Sequence, residues 1–233
     1  MKAYRIHEYG DAAKFIEDEV NKPSAKKGHV VVEVKASSLN PIDHKFLKRD
    51  LGINPALPGI LHMDVAGVIT EVGEGVTAFK TGDEIYGCAG GLQGEAGNIE
   101  GALADFMLAD SNLIALKPKS LSFSESAALP LVTITAWEGL FDRAHIKKED
   151  HVLIHGGTGG VGHIAIQLAR KHGARVATTV SSEDKAKVAR GLGAEDIIFY
   201  RDEKVEDYTQ RLTKGKGFDV VFDTIGADNL DKS

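Results

Sequence analysis

The sequence predicts an α/β plus β protein: a β-rich N-terminal domain followed by a doubly wound parallel sheet. Three observations predict it. Residues 1 to about 120 carry short alternating segments parted by Gly, Pro and Asn. From about 124 onward, apolar strand-like runs alternate with amphipathic helical ones. At the head of that second region, Val152-Leu153-Ile154-His155 runs into Gly156-Gly157-Thr158-Gly159-Gly160-Val161-Gly162. The expected domains are therefore residues 1–123 and 124–233.

In the first region, Val30-Val31-Val32-Glu33-Val34-Lys35, Ala66-Gly67-Val68-Ile69-Thr70-Glu71-Val72 and Glu84-Ile85-Tyr86 read as short strands. Gly87 to Gly101 is rich in glycine and predicts a mobile loop. Ser122 and Glu125 have capping-box spacing, ahead of a helical stretch through Ala136 to Phe141 that Pro130 interrupts. Strands follow near 151–155, 175–180, 196–199 and 218–222, with helices near 160–172, 183–191 and 204–213. That succession predicts a right-handed parallel sheet with helices on both faces.

The glycine run has the spacing and context of a dinucleotide site. A strand precedes it, and Val161, Ile164, Ala165, Leu168, Ala169 and His172 follow at helical spacing until Gly173. Gly157 is expected to make the tight turn, Gly159 to admit the pyrophosphate, and Gly162 to let helix and strand pack closely. Free N–H groups at the helix start would face the negative charge. Gly157, Thr158, Gly159, Gly160, Val161 and Gly162 are the candidate contacts. A glycine-rich hairpin or an ordinary strand-to-helix turn is the alternative. A kinase-type P-loop is disfavoured, because no Lys-Ser or Lys-Thr follows the glycines.

NAD-binding units place a carboxylate on the ribose about 20 residues beyond the glycines. This chain offers Val180-Ser181-Ser182 there, and Lys185 one helical turn later. Serine hydroxyls and a lysine suit a 2′-phosphate, so NADP (as NADPH) is favoured over NAD. Glu183 and Asp184 oppose that reading electrostatically. Ser182 as a helix cap beside a solvated Lys185 is compatible with either.

The net charge of −6 argues against nucleic-acid and anionic-membrane partners. No apolar run approaches the roughly 18 residues that span a bilayer. No apolar secretory core follows Met1, so the cytoplasm is the expected location. The single cysteine, Cys88, forms no internal disulfide, and reads as a small buried apolar residue rather than a nucleophile.

Several motifs together resemble the medium-chain dehydrogenase/reductase superfamily, in particular its zinc-independent NADPH:quinone oxidoreductase-like branch. They are Ser38-Leu39-Asn40-Pro41-Ile42-Asp43, Asp64-Val65-Ala66-Gly67-Val68-Ile69, Val72-Gly73-Glu74-Gly75-Val76, Gly82-Asp83-Glu84-Ile85-Tyr86-Gly87, Ala127-Ala128-Leu129-Pro130 and the glycine turn. The resemblance implies a chaperonin-10-like β domain, a Rossmann NADP-binding domain, and substrate held in a cleft between them. It implies hydride transfer from NADPH to a small-molecule quinone or α,β-unsaturated carbonyl compound. It places Asn40 and Asp43 in the cleft, Thr135 with Thr133 near the nicotinamide, and Tyr200 near the adenosine phosphate. Asn40, Asp43 and Thr135 are thus the catalytic candidates. Thr133, Thr135, Ser181, Ser182, Lys185 and Tyr200 join the glycine turn as cofactor candidates.

Simpler roles exist for the catalytic candidates: Asn40-Pro41 as a turn, Asp43 as a helix N-terminal acid, and the threonines as helix hydroxyls bonded to backbone. Zinc-bearing relatives carry Cys and His ligands where this chain has Asn40 and Met63. An amide and a thioether are poor zinc ligands, so no zinc is expected. A zinc-dependent alcohol dehydrogenase and an inactive nucleotide-binding member of the same fold are the competing readings.

The resemblance also implies a C-terminally incomplete Rossmann sheet. Asp219-Val220-Val221-Phe222-Asp223-Thr224-Ile225-Gly226 resembles the fourth strand and its turn, and Ala227 to Ser233 is too short for another βα unit. The fourth strand would then be an edge to be covered or paired, as a homo-oligomer would do.

Overall fold

The computed structural model describes residues 1–94 and 97–233. The chain divides into two units, Met1–Leu131 and Val132–Ser233. The division falls beyond the change of texture at 123–124. The helix that follows, Phe123–Ala127, buries Ser126 and Ala127 and packs on strands of the first unit.

The first unit contains β1 (Lys2–Ile6), β2 (Ile16–Glu19), β3 (His29–Ser37), α1 (Pro41–Lys48), β4 (Gly59–Ile60), β5 (Asp64–Val72), β6 (Glu84–Cys88), β7 (Leu92–Gly94), β8 (Gly97–Ile99), β9 (Phe106–Asp110), β10 (Ile114–Leu116) and α2 (Phe123–Ala127). Its main sheet is antiparallel, in the order β10-β6-β5-β3-β9. Val30, Val32, Val65, Ile69, Ile85, Met107 and Ile114 of those strands form its core. A smaller sheet, β2-β1-β4, shares a second cluster with α1 through Ile6, Phe46 and Leu61.

One expectation changes here. The glycine-rich segment Gly87 to Gly101 is not simply a loop: β7 and β8 pair within it as an antiparallel hairpin. Glu95 and Ala96, between β7 and β8 in the sequence, lie outside the described residues. The glycines on either side meet close backbone neighbours. A Cβ on Gly90 would stand 2.4 Å from the Glu100 carbonyl oxygen, and one on Gly101 would meet that of Leu61. Glycine content there reflects tight packing as well as turns.

Helix α3 (Pro130–Trp137) and a π-helical turn over Glu138–Arg143 lead into the second unit. There follow β11 (His151–His155), α4 (Gly160–His172), β12 (Arg175–Val180), α5 (Glu183–Leu192), β13 (Asp196–Phe199), α6 (Val205–Thr213) and β14 (Val220–Asp223). The four strands are parallel, in the order β13-β12-β11-β14. That is the 3-2-1-4 arrangement of a Rossmann sheet. Alternation along β11 explains the two covered faces. Val152 and Ile154 join α4 and α5 in one cluster, while Leu153 joins Tyr208 of α6 in another. Gly173 and Gly193 close α4 and α5 in the left-handed conformation, at φ 100° and 109°. β14 forms one edge of the described sheet. Among the described residues, no helix is long and apolar enough to cross a membrane.

Ile166 of α4 is fully buried between helix and sheet, whereas Val188 of α5 is exposed. Ile166→Ala should cost about 2–5 kcal/mol of unfolding free energy. Val188→Ala should stay within about 0.5 kcal/mol of the parent. Urea titration followed by circular dichroism reads both.

Candidate functional site

The turn between β11 and α4 is built so that glycine alone fits several of its positions. Gly156, not Gly157, carries the left-handed backbone, at φ 72°. Gly157 is needed for a different reason: a Cβ there would stand 2.0 Å from the Thr178 hydroxyl oxygen. A Cβ on Gly162 would stand 2.2 Å from the Gly156 carbonyl oxygen, so α4 could not approach the turn. Gly159 differs again. It has ordinary φ and ψ of −79° and 175°, and a Cβ would meet only the Gly156 oxygen, at 3.2 Å. Gly160 is similarly open, with Val132 at 3.4 Å. Both are exposed. The turn is therefore closed on the side of Gly157 and Gly162 and open on the side of Gly159 and Gly160.

Two main-chain amides of the turn are bonded inward. Gly156 N–H donates to the Thr179 hydroxyl at 3.0 Å, and Gly159 N–H donates to the Gly156 carbonyl at 2.9 Å. The amides of Gly160, Val161 and Gly162 come before the first intrahelical acceptor bond, which runs from His163 N–H to the Gly159 carbonyl. Gly159 caps α4 without a side chain. A helix of 13 residues thus begins with uncapped amides and its positive dipole end on the open flank. The strand end is pinned from both sides. Thr178 donates to the Ile154 carbonyl at 2.6 Å, and Thr224 to the His155 carbonyl at 2.7 Å.

The end of β12 carries no acid. Ser182 caps α5, accepting from Lys185 N–H. Glu183 pairs with Arg190 at 2.7 Å and Asp184 with Lys187 at 3.3 Å, so both carboxylates are engaged along the helix. Lys185 is exposed in the same first turn. Tyr200 N–H donates to the Val180 carbonyl at 3.4 Å, which sets Tyr200 beside the end of β12. The Arg201 guanidinium lies 5.5 Å from the Tyr200 ring centre, a second cation here that sequence reasoning passed over. Ser181, Ser182, Lys185 and Tyr200 therefore gather at neighbouring strand ends. Thr133 lines an open cavity of about 500 Å³ with Trp137, Glu138 and Arg143, and Thr135 lies exposed on α3.

The first unit holds a separate polar cluster. Asp43 is fully buried at the start of α1. Its carboxylate accepts from Asn40 N–H at 2.8 Å and His62 N–H at 3.1 Å. As placed, Asp43 is a helix-capping acid with no surface to offer a bound molecule. Asn40 is also buried, 6% exposed. Its amide Nδ2 donates to Asp64 Oδ2 at 2.9 Å and to Ser38 Oγ at 3.1 Å, which commits both N–H bonds. Asp64 is 1% exposed and accepts further from Ser38 Oγ at 2.6 Å and Leu131 N–H at 2.9 Å. Cys88 stands opposite Asp64 in the β5–β6 register. Burial raises the Asp64 carboxyl above its usual range, against the pull of these donors. Burial and the neighbouring Asp64 push the Cys88 thiol up to about 12, so it stays protonated and is no nucleophile. His62 has a left-handed backbone at φ 71°, and its Nδ1 lies 2.9 Å from the Ser37 hydroxyl. Burial lowers its pKa, against the carboxylates of Asp43 and Asp64. The sequence offered no sign that Ser38, Asp64 and Cys88 meet. Their meeting depends on the β5–β6 register, which sets Asp64 opposite Cys88.

Residues 26–119 match the family described as alcohol dehydrogenase GroES-like domain, and residues 160–233 the family described as zinc-binding dehydrogenase. The chain is 32% identical to the quinone oxidoreductase of Rattus norvegicus over 99% of its own length and 68% of that protein. It belongs to the medium-chain dehydrogenase/reductase superfamily, in its quinone oxidoreductase-like branch. The 2-methylene-furan-3-one reductase of Solanum lycopersicum is 40% identical over 97% of the chain, which spans only 57% of that relative. The Escherichia coli quinone oxidoreductase, solved in complex with NADPH, matches all of the chain with a TM-score of 0.86 at 30% identity. The chain spans 69% of that structure. The first unit is accordingly a GroES-like (chaperonin-10-like) β domain, and the second a parallel Rossmann-like sheet.

A zinc ion does not fit the residues present. The Asn40 amide turns its N–H bonds inward, and Met63 offers a thioether. Among the described residues, no three His, Cys, Asp or Glu side chains are grouped to hold a metal. A dinucleotide does fit the glycine turn, whose open flank is lined by helix-initiating amides.

Gly159→Asp separates binding from folding. An N-cap aspartate should leave stability unchanged or raise it by about a few tenths of a kcal/mol. Its carboxylate would occupy the anion's place and weaken dinucleotide binding about a hundredfold or more. Gly157→Ala should instead cost about 1–3 kcal/mol of stability through overpacking against Thr178. Thermal unfolding and NADPH fluorescence titration distinguish the two.

Proposed function

We propose that this chain is a zinc-free NADPH-dependent reductase that delivers hydride to a quinone or an α,β-unsaturated carbonyl compound. The observation that carries the proposal is the glycine turn: closed where Gly157 and Gly162 pack, open where α4 presents its first amides. The names of the relatives, a quinone oxidoreductase and a 2-methylene-furan-3-one reductase, support the acceptor class. The NADPH held by the Escherichia coli relative supports the cofactor.

The amides of Gly160, Val161 and Gly162 receive the pyrophosphate, with Thr158 beside them. Ser181, Ser182, Lys185 and Tyr200 receive the 2′-phosphate, where an acid would repel it. NADPH, when bound, supplies the hydride. As hydride arrives, negative charge grows on the acceptor oxygen and must be met by hydrogen-bond donors. The Thr133 and Thr135 hydroxyls and main-chain N–H groups are proposed for that task. Asn40 and Asp43 are held within the β domain. Their N–H bonds and oxygens are engaged inside the protein, so neither passes a proton to the acceptor.

NADPH consumption is expected when a quinone or enone is added, with NADH a poorer donor. Dinucleotide binding without turnover across a panel of both classes would favour a nucleotide-binding protein instead, and absence of binding would overturn the proposal. Lys185→Glu should cut the preference for NADPH over NADH about tenfold or more. Equal loss for both dinucleotides would assign Lys185 a structural role. Paired Kd measurements for NADPH and NADH decide this.

A further inference from the structure

The β domain contains a buried acid, Asp64, that no proposed step uses. Asp64 Oδ2 accepts from Ser38 Oγ and from Asn40 Nδ2, at 2.6 and 2.9 Å. Its Oδ1 accepts from Leu131 N–H at 2.9 Å, in the first turn of α3. Cys88 stands opposite Asp64 in the β5–β6 register. Three donors occupy most of the lone pairs of one carboxylate. They come from two separated parts of the chain: the segment after β3 and the start of α3.

The donors constrain one another. The Asn40 amide has two N–H bonds, one on Asp64 and one on Ser38, and Ser38 in turn donates to Asp64. The amide cannot rotate without breaking two bonds, one of them buried and the other to the half-buried Ser38. An uncharged isostere at 64 cannot replace the acid. It has one oxygen, so its NH2 would oppose either Leu131 N–H or the Asn40–Ser38 pair.

We infer that Asp64 is a positioning residue for α3, the helix that carries Thr133 and Thr135: its carboxylate fixes the first turn of that helix and the Asn40 amide, whose N–H bonds both turn inward. The inference rests on the reductase reading for its functional meaning, while the clamp itself is observable without turnover.

Two measurements on the whole chain test it. In the parent protein, nitrogen-15 NMR should show the Asn40 side-chain amide exchanging with solvent at least about a hundredfold more slowly than that of exposed Asn21. Asp64→Asn should abolish that protection, leave the NADPH Kd within about twofold, and lower kcat about tenfold or more. Asn40→Ala together with Asp64→Asn should be no worse than the worse single variant, because the two act as one unit. A merely structural acid would give additive losses, or would weaken NADPH binding and kcat together. Either result overturns the inference, as does fast exchange of the Asn40 amide in the parent. Should Asp64→Asn fail to fold, Ser38→Ala takes its place. It should speed Asn40 exchange, and unchanged exchange would overturn the clamp. Parent protein that binds NADPH but reduces no quinone or enone would sink the reductase reading, leaving the exchange rates to decide the clamp alone.

Discussion

The approach of α4 to the end of β11 is the constraint on which the second unit depends. Helix and turn come within contact distance only because Gly162 and Gly157 lack a Cβ. That closeness sets the first amides of α4 beyond the strand ends, where an open sheet of this topology takes its ligands. Thr178 fills the space that Gly157 leaves and bonds the strand below, while Thr179 holds the Gly156 amide. The proposed anion site is therefore backbone held by packing.

The first unit solves a different problem by a related means. Two buried acids, Asp43 and Asp64, organise the segment after β3 and the start of β5. Each accepts several N–H or O–H bonds, which is the condition for keeping a carboxylate inside a protein. Asp43 closes the capping box of α1 and also holds the strained His62 backbone. Asp64 binds the neighbouring segment and the first turn of α3. Polar residues at the centre of this domain thus serve chiefly one another.

Much of the fold was legible in the sequence because it is written in local patterns. The βαβ unit around the glycine turn, its strand and helix bounds, and the end of α4 at Gly173 all follow from apolar period and glycine placement. The strand expected at 218–222 starts later, at Val220, because Asp219 pairs with His151 ahead of the ladder. The hairpin within Gly87–Gly101 was hidden by glycines whose reason is close backbone approach from distant residues. The role of Gly156 was hidden too, since motif spacing points to Gly157 while φ is set by the pinned strand end. The Asp64 cluster was illegible for a clear reason. It joins residues 38, 40, 64, 88 and 131, and only tertiary register brings them together.

The most direct test of the account is a crystal structure of this chain grown with NADPH. The pyrophosphate should lie within hydrogen-bond distance of the Gly160, Val161 and Gly162 amides, with the 2′-phosphate beside Ser182 and Lys185. A dinucleotide seated elsewhere, or a turn that stays empty at saturating NADPH, would contradict it.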